Sequence, residues 1–99
     1  MKVKIQSVHF DADQKLESFI HNKLDKLISR NQNIVLADVT LRLDKSQAVD
    51  NKVAEIKLEV PGNNLFAKKQ SKSFEEAADS AVEALNRQLV KYKEKKIGK

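Results

Sequence analysis

The chain reads as an α+β domain of two layers, a four-stranded sheet with two helices packed on one face. Three observations predict it. Residues 14–30 and 73–99 each repeat apolar side chains at helical spacing along a single stripe. Residues 2–8, 34–44, 52–60 and 65–70 are short, strand-like segments, most of them alternating apolar with polar side chains. The resulting order is β-α-β-β-β-α, and one-faced strands with one-striped helices bury their apolar surface most economically as two stacked layers.

Residues 2–8 set Val3 and Ile5 on one side and Lys2, Lys4 and Gln6 on the other, as a half-buried strand does. Asp13 then suits the N-cap of a helix over 14–30, where its carboxylate can accept from N–H groups that have no partner within the helix. Leu16, Ile20, Leu24, Leu27 and Ile28 make the apolar stripe of that helix, with Phe19 at one border. Lys15, Lys23, Lys26 and Arg30 flank the border, while Glu17, His21 and Asp25 lie elsewhere. Asn31-Gln32-Asn33 closes the helix with turn-forming residues.

The second strand, 34–44, points Val39, Leu41 and Leu43 inward and Asp38, Thr40 and Arg42 outward. A polar connection over 45–51 leads to the third, 52–60, with Ala54, Ile56, Leu58 and Val60 inward. Pro61-Gly62-Asn63-Asn64 is dense in turn formers and predicts a hairpin into the fourth strand, 65–70. These three strands suit an antiparallel meander, whereas the first needs its helix as a crossover and is free to pair in parallel with a neighbour. The closing helix opens at Ser73, which forms a capping box with Glu76. Phe74, Ala78, Ala81, Val82, Leu85, Leu89 and Tyr92 make its apolar face, and Gly98, its one breaker, stands at the far end.

With 99 residues the chain has room for one core, so it is read as a single domain over 1–99 with a basic end at 96–99. There is no cysteine, which removes disulfides and thiolate chemistry. The N-terminus carries no apolar run of signal-peptide type, and no stretch approaches the roughly 20 apolar residues of a membrane helix. The cytoplasm is the simplest address.

The net charge of +5 is concentrated at one end. Residues 1–86 hold thirteen basic and thirteen acidic side chains; residues 87–99 hold six basic ones against Glu94 alone. The dipole of the closing helix favours cations near its C-terminus, but it sorts charge only along the axis. On a helical wheel centred on Leu85, Arg87, Lys91 and Lys95 form one ridge beside Gln88, and Glu76, Asp79, Glu83 and Glu94 lie on the far side. Segregation around the axis points to a polyanion-binding surface. If the helices lie side by side, Lys23, Lys26 and Arg30 line the other bank of that surface, and the groove grips phosphates by charge.

Catalysis is poorly served. His9 and His21 have no cysteine or second histidine at metal-ligand spacing, and Gly62 and Gly98 are too few and too distant for a phosphate loop or nucleophile elbow. Glu75, Glu76 and Asp79 are explained as acids at a helix N-terminus. Neither an enzymatic activity nor a metal or other cofactor is expected. Among RNA readers, an RRM stacks bases on several sheet aromatics, and here only Phe66 is available to the sheet. A duplex-RNA binder would use Lys68, Lys69 and Lys72, yet Glu75 and Glu76 stand where such a domain needs positive charge.

One family carries this pattern over its whole length. Ala77-Ala78-Asp79, Leu85, Arg87-Gln88-Leu89, Lys91, Lys93 and Lys95 resemble the Ala-Ile-Asp…Leu-x-Arg-Gln-Leu-x-Lys-x-Lys-x-Lys run of short-form ribosome hibernation-promoting factors, a family that includes the ribosome-associated translation inhibitors and was once described as sigma-54 modulation proteins. Leu16, Lys23, Lys26-Leu27 and Arg42-Leu43-Asp44-Lys45 are further, weaker matches, and the element order agrees.

The resemblance implies a non-catalytic factor that lodges on the small ribosomal subunit, contacts ribosomal RNA through basic residues of both helices, and silences idle ribosomes by filling the tRNA and mRNA sites. By position it assigns RNA contact to Lys23, Lys26, Arg42, Lys45, Arg87, Gln88, Lys91, Lys93 and Lys95; the wheel adds Arg30. It implies no small-molecule substrate, no membrane partner and a monomer when free. In two respects the chain departs from the pattern. Glu75 stands where relatives often carry an aromatic, and the sequence ends at Lys99, before the tail of the inhibitor-type members and the second, dimerising domain of the long form. The alternatives are a free-standing duplex-RNA binder and a protein-interaction module that modulates transcription.

Overall fold

The computed structural model describes residues 2–8, 10–31, 33–44 and 51–98, with the backbone alone for Lys2 and for 93–98. The elements run β1 (Lys2–Val8), α1 (Gln14–Arg30), β2 (Leu36–Leu43), β3 (Lys52–Val60), β4 (Asn63–Ser71) and α2 (Phe74–Gly98). This is the predicted β-α-β-β-β-α order. The sheet has the order β1-β2-β3-β4. β1 pairs in parallel with β2, Ile5 opposite Val39, and β2, β3 and β4 form the antiparallel meander, with Ile56 opposite Val39 and Ala67.

Strand alternation decides which side is covered. Ala37, Val39 and Leu41 of β2, Ala54, Ile56 and Leu58 of β3, and Leu65 and Ala67 of β4 all point to one side and are buried there. They meet Leu16, Ile20, Leu24, Leu27 and Ile28 of α1 and Ala77, Ala78, Ala81, Leu85 and Leu89 of α2, in a single core. Both helices therefore lie on the same face, and among the described residues no helix covers the other, open face. The start of α2 is built from alanines, which lets its backbone sit close to the sheet before Leu85 and Leu89 fill the wider space beyond.

Local chemistry fixes the ends of the elements. The Asp13 carboxylate accepts from the Leu16 N–H at 2.9 Å, as an N-cap should. At the other end of α1, Asn31 is buried, its amide donating to the Leu27 carbonyl at 2.7 Å and its backbone N–H to that of Ile28. Ser73 Oγ accepts from the Glu76 N–H at 3.1 Å, which supplies the serine half of the predicted capping box. Pro61 and Gly62 alone make the β3–β4 turn, and Gly62 adopts φ +79°, the left-handed value that a type II turn needs after its proline. The hairpin is thus tighter than the four turn formers predicted, and β4 begins at Asn63. Ahead of α1, Phe10 stacks on Phe74 with ring centroids 4.7 Å apart and planes 8° from parallel. That pair ties the segment leading into α1 to the first turn of α2, beside Glu75.

Candidate nucleic-acid interface

α1 and α2 lie side by side, and an open cleft of about 230 Å³ runs between them. Leu27 and Val82 form its floor. The α1 bank carries Lys23, Lys26 and Arg30, as the spacing predicted; the α2 bank carries Asp79, Glu83 and Asn86. The expected groove with cations on both sides is therefore not what the fold builds. Lys23 is held against Asp79 at 2.8 Å, and its ammonium also stands 5.5 Å from the centre of the Phe19 ring. The two side chains are 37% and 51% exposed, so this ion pair fixes the direction of Lys23 more than it stabilises the fold.

The ridge of α2 lies elsewhere. Gln88 donates from Nε2 to the Phe66 carbonyl at 2.9 Å, and the Tyr92 hydroxyl donates to the Pro61 carbonyl at 3.0 Å, so this flank of the helix faces β4 and the β3–β4 turn. Arg87 and Lys91, both exposed, occupy the crest between that flank and solvent, on the side away from α1. Arg87 reaches Glu83 at 3.5 Å, a long contact between two side chains each more than seven-tenths exposed. One set of cations thus sits on the crest of α2 and the other on the α1 bank, divided by the acids that border the cleft.

Arg42 is in a different setting. It projects from β2 onto the open face of the sheet and pairs with Glu55 of β3 through contacts of 2.9 and 3.0 Å. Gln70 of β4 and Asp44 meet beside it at 3.4 Å, and Val53 is buried beneath this polar group. Lys45 and His9 fall outside the described residues, as do the side chains of Lys93 and Lys95, although the helix backbone continues through both lysines. His21 is exposed on α1.

The cleft acids were missed because a wheel sorts charge by flank but does not say which flank a neighbouring helix covers. Val82 was the available signal: it is an apolar residue on the acid flank and needs cover there. Among the described residues no group of three or more His, Asp or Glu is arranged to hold a metal ion. No described helix is long and apolar enough to cross a membrane.

The fold and site define a small two-layer α+β domain whose helical face carries exposed arginine and lysine on the crest of its last helix. Residues 3–97 match the model of the sigma 54 modulation protein / S30EA ribosomal protein family, and the chain belongs to it. It is 30% identical to a ribosome hibernation promoting factor of Pseudomonas putida over 95 residues, 96% of this chain and 89% of that one. With the protein of that name from Azotobacter vinelandii it shares 28% over 97 residues, 98% of this chain and 87% of the other. Among solved structures it is similar to a ribosomal subunit interface protein of Coxiella burnetii, with a TM-score of 0.84 at 20% identity, covering 94% of this chain and 98% of that one. The N-terminal domain of Thermus thermophilus Protein Y superposes with a TM-score of 0.78 at 22% identity, covering 93% and 99%. These two establish the likeness of fold.

Proposed function

We propose that this protein is a non-catalytic ribosome hibernation factor of the cytoplasm. It binds the small ribosomal subunit as a monomer, through the phosphates of its RNA, and silences idle ribosomes by filling the sites that tRNA and mRNA use. The observation that carries the reading is the Arg87–Lys91 ridge, exposed on the crest of α2 in a chain of this family. The names of the relatives support the ribosome as partner, and the mechanism is occlusion, a rigid charged body occupying sites that substrates need. Lys26 and Arg30 supply a second line of positive charge across the cleft, and Lys23 reaches over it to Asp79. Arg42, near the end of β2, belongs to the same proposed contact set, as do Lys45, Lys93 and Lys95 by their positions in the family pattern, Lys95 continuing the four-residue spacing of Arg87 and Lys91.

A duplex-RNA reading is disfavoured by the strand. Lys68 lies on the open face and Lys69 on the opposite one, so the lysines do not make one surface. Sucrose-gradient sedimentation of a stationary-phase lysate at moderate salt tests the proposal. The protein is expected with the small subunit and whole ribosomes, and its confinement to the top of the gradient would overturn the reading.

A further inference from the structure

Phe66 is not accounted for by the core, by the helices or by the ridge. Its side chain stands on the open face of the sheet at 53% exposure, the one strongly exposed large apolar residue at an outward register position among the described strand residues. Lys57 of β3 lies directly opposite, and Lys68, two residues along β4, projects from the same face; both lysines are exposed. Lys4 of β1 ends the same cross-strand row, beyond Asp38. Of the two acids diagonal to the ring, Glu55 is already tied to Arg42, which leaves Glu59 on the border.

The backbone beneath the ring is also fixed. The Phe66 carbonyl points off the free edge of β4 and receives the Gln88 amide at 2.9 Å. A peptide strand adding to this edge would have to break that bond, so the patch suits a ligand that lies flat on the ring rather than one that extends the sheet. The same bond joins the patch to the helix, because Gln88 sits between Arg87 and Lys91 on α2. A positively charged path therefore runs from the crest of α2 around the edge of β4 to an exposed aromatic face flanked by lysines. An aromatic face beside a cationic track fits one ligand chemistry, an unpaired nucleobase with its backbone phosphates.

We infer that Phe66 is a stacking platform for an unpaired base of the RNA whose phosphates the Arg87–Lys91 ridge holds, so that the protein grips RNA on both sides of its β4 edge. The inference rests on the reading above, and it adds a specific preference: single-stranded over duplex RNA at this edge, since paired bases have no free face to offer.

The test uses the whole chain and a short mixed-sequence single-stranded RNA, with its duplex as control, and purified small ribosomal subunits alongside. Phe66→Ala is expected to weaken single-strand binding by about 5- to 150-fold, the range of one base–aromatic stack. Phe66→Tyr is expected to retain binding and Phe66→Leu to lose most of it, because leucine keeps the apolar contact without the π face. The chain has no tryptophan, so Phe66→Trp places a single indole at the patch, and single-stranded RNA should quench its fluorescence while duplex does not. Equal binding by the Leu variant and the native chain would overturn stacking and mark the patch as an ordinary apolar contact. Equal binding by the Ala variant, with Arg87→Ala/Lys91→Ala still weakened, would overturn this inference and leave the ribosomal reading standing. Failure of the native chain to bind either RNA or subunits would overturn both.

Discussion

Replacing Arg87 and Lys91 together with alanine isolates the contribution of the α2 crest. Both side chains project into solvent and neither packs in the core, so the change removes two charges and leaves the fold intact. If each neutralises one phosphate, the slope of log K against log salt should become shallower by about 0.7–0.9 per contact, or about 1.4–1.8 in all. If native and variant proteins converge near 1 M salt, where counterion release no longer favours binding, the same difference makes the variant weaker by about 25- to 60-fold at 0.1 M. The Glu83 carboxylate competes only weakly for Arg87, being 3.5 Å away and equally exposed, so little discount is needed. Fluorescence anisotropy of labelled protein on small subunits, across a salt series, measures both quantities. Parallel lines for native and variant proteins would refute the argument, because they would show that no phosphate is bound at the crest.

The cleft gives a prediction of opposite sign. Asp79→Asn releases Lys23 and removes one negative charge from the α2 bank, so subunit binding should tighten at low salt while stability falls by no more than about 0.2–1 kcal/mol; anisotropy and urea unfolding report the two effects. Weaker binding would instead place Asp79 itself on the ligand. In the core, Leu85→Ala empties a fully buried site between α2 and the sheet and should cost about 2–5 kcal/mol, read as a drop in the urea midpoint with an unchanged slope.

Much of the architecture was legible because its signals are local. Asp13 and the stripe from Leu16 to Ile28 fixed α1 at 14–30, and the alternation from Val53 to Val60 fixed β3 at 52–60. The predicted second strand ran two residues too far at its start and one at its end, since Val35 donates to Glu59 outside the regular ladder. The predicted fourth strand began two residues late, because a proline followed by a glycine in the left-handed region completes the turn without help from Asn63 or Asn64. Ala77 was not placed in the stripe, although a helix this close to a sheet buries a wider arc than its large side chains mark out.

The candidate site was harder to read. Residue spacing put Arg87 and Lys91 on one ridge and Lys23, Lys26 and Arg30 on another, and both ridges exist. How they face one another depends on which flank of α2 meets α1, a tertiary fact with no local signature beyond Val82. The Gln88 bond to the Phe66 carbonyl joins residues 22 apart in sequence, and only the packing of α2 along β4 brings them together.

The parallel pairing of β1 has a consequence for how the chain folds and opens. The β2–β3 and β3–β4 ladders join strands adjacent in sequence, but β1 reaches β2 only after α1 has been laid down between them. Its closure entropy is therefore the largest in the sheet, and its inward residues Val3 and Ile5 repay it with only partial burial. β1 should then dock last during refolding and detach first in the native state, with the amides of Lys4–Val8 exchanging hydrogen for deuterium well ahead of those in β3. Uniform protection across the four strands would show instead that the sheet opens as one unit.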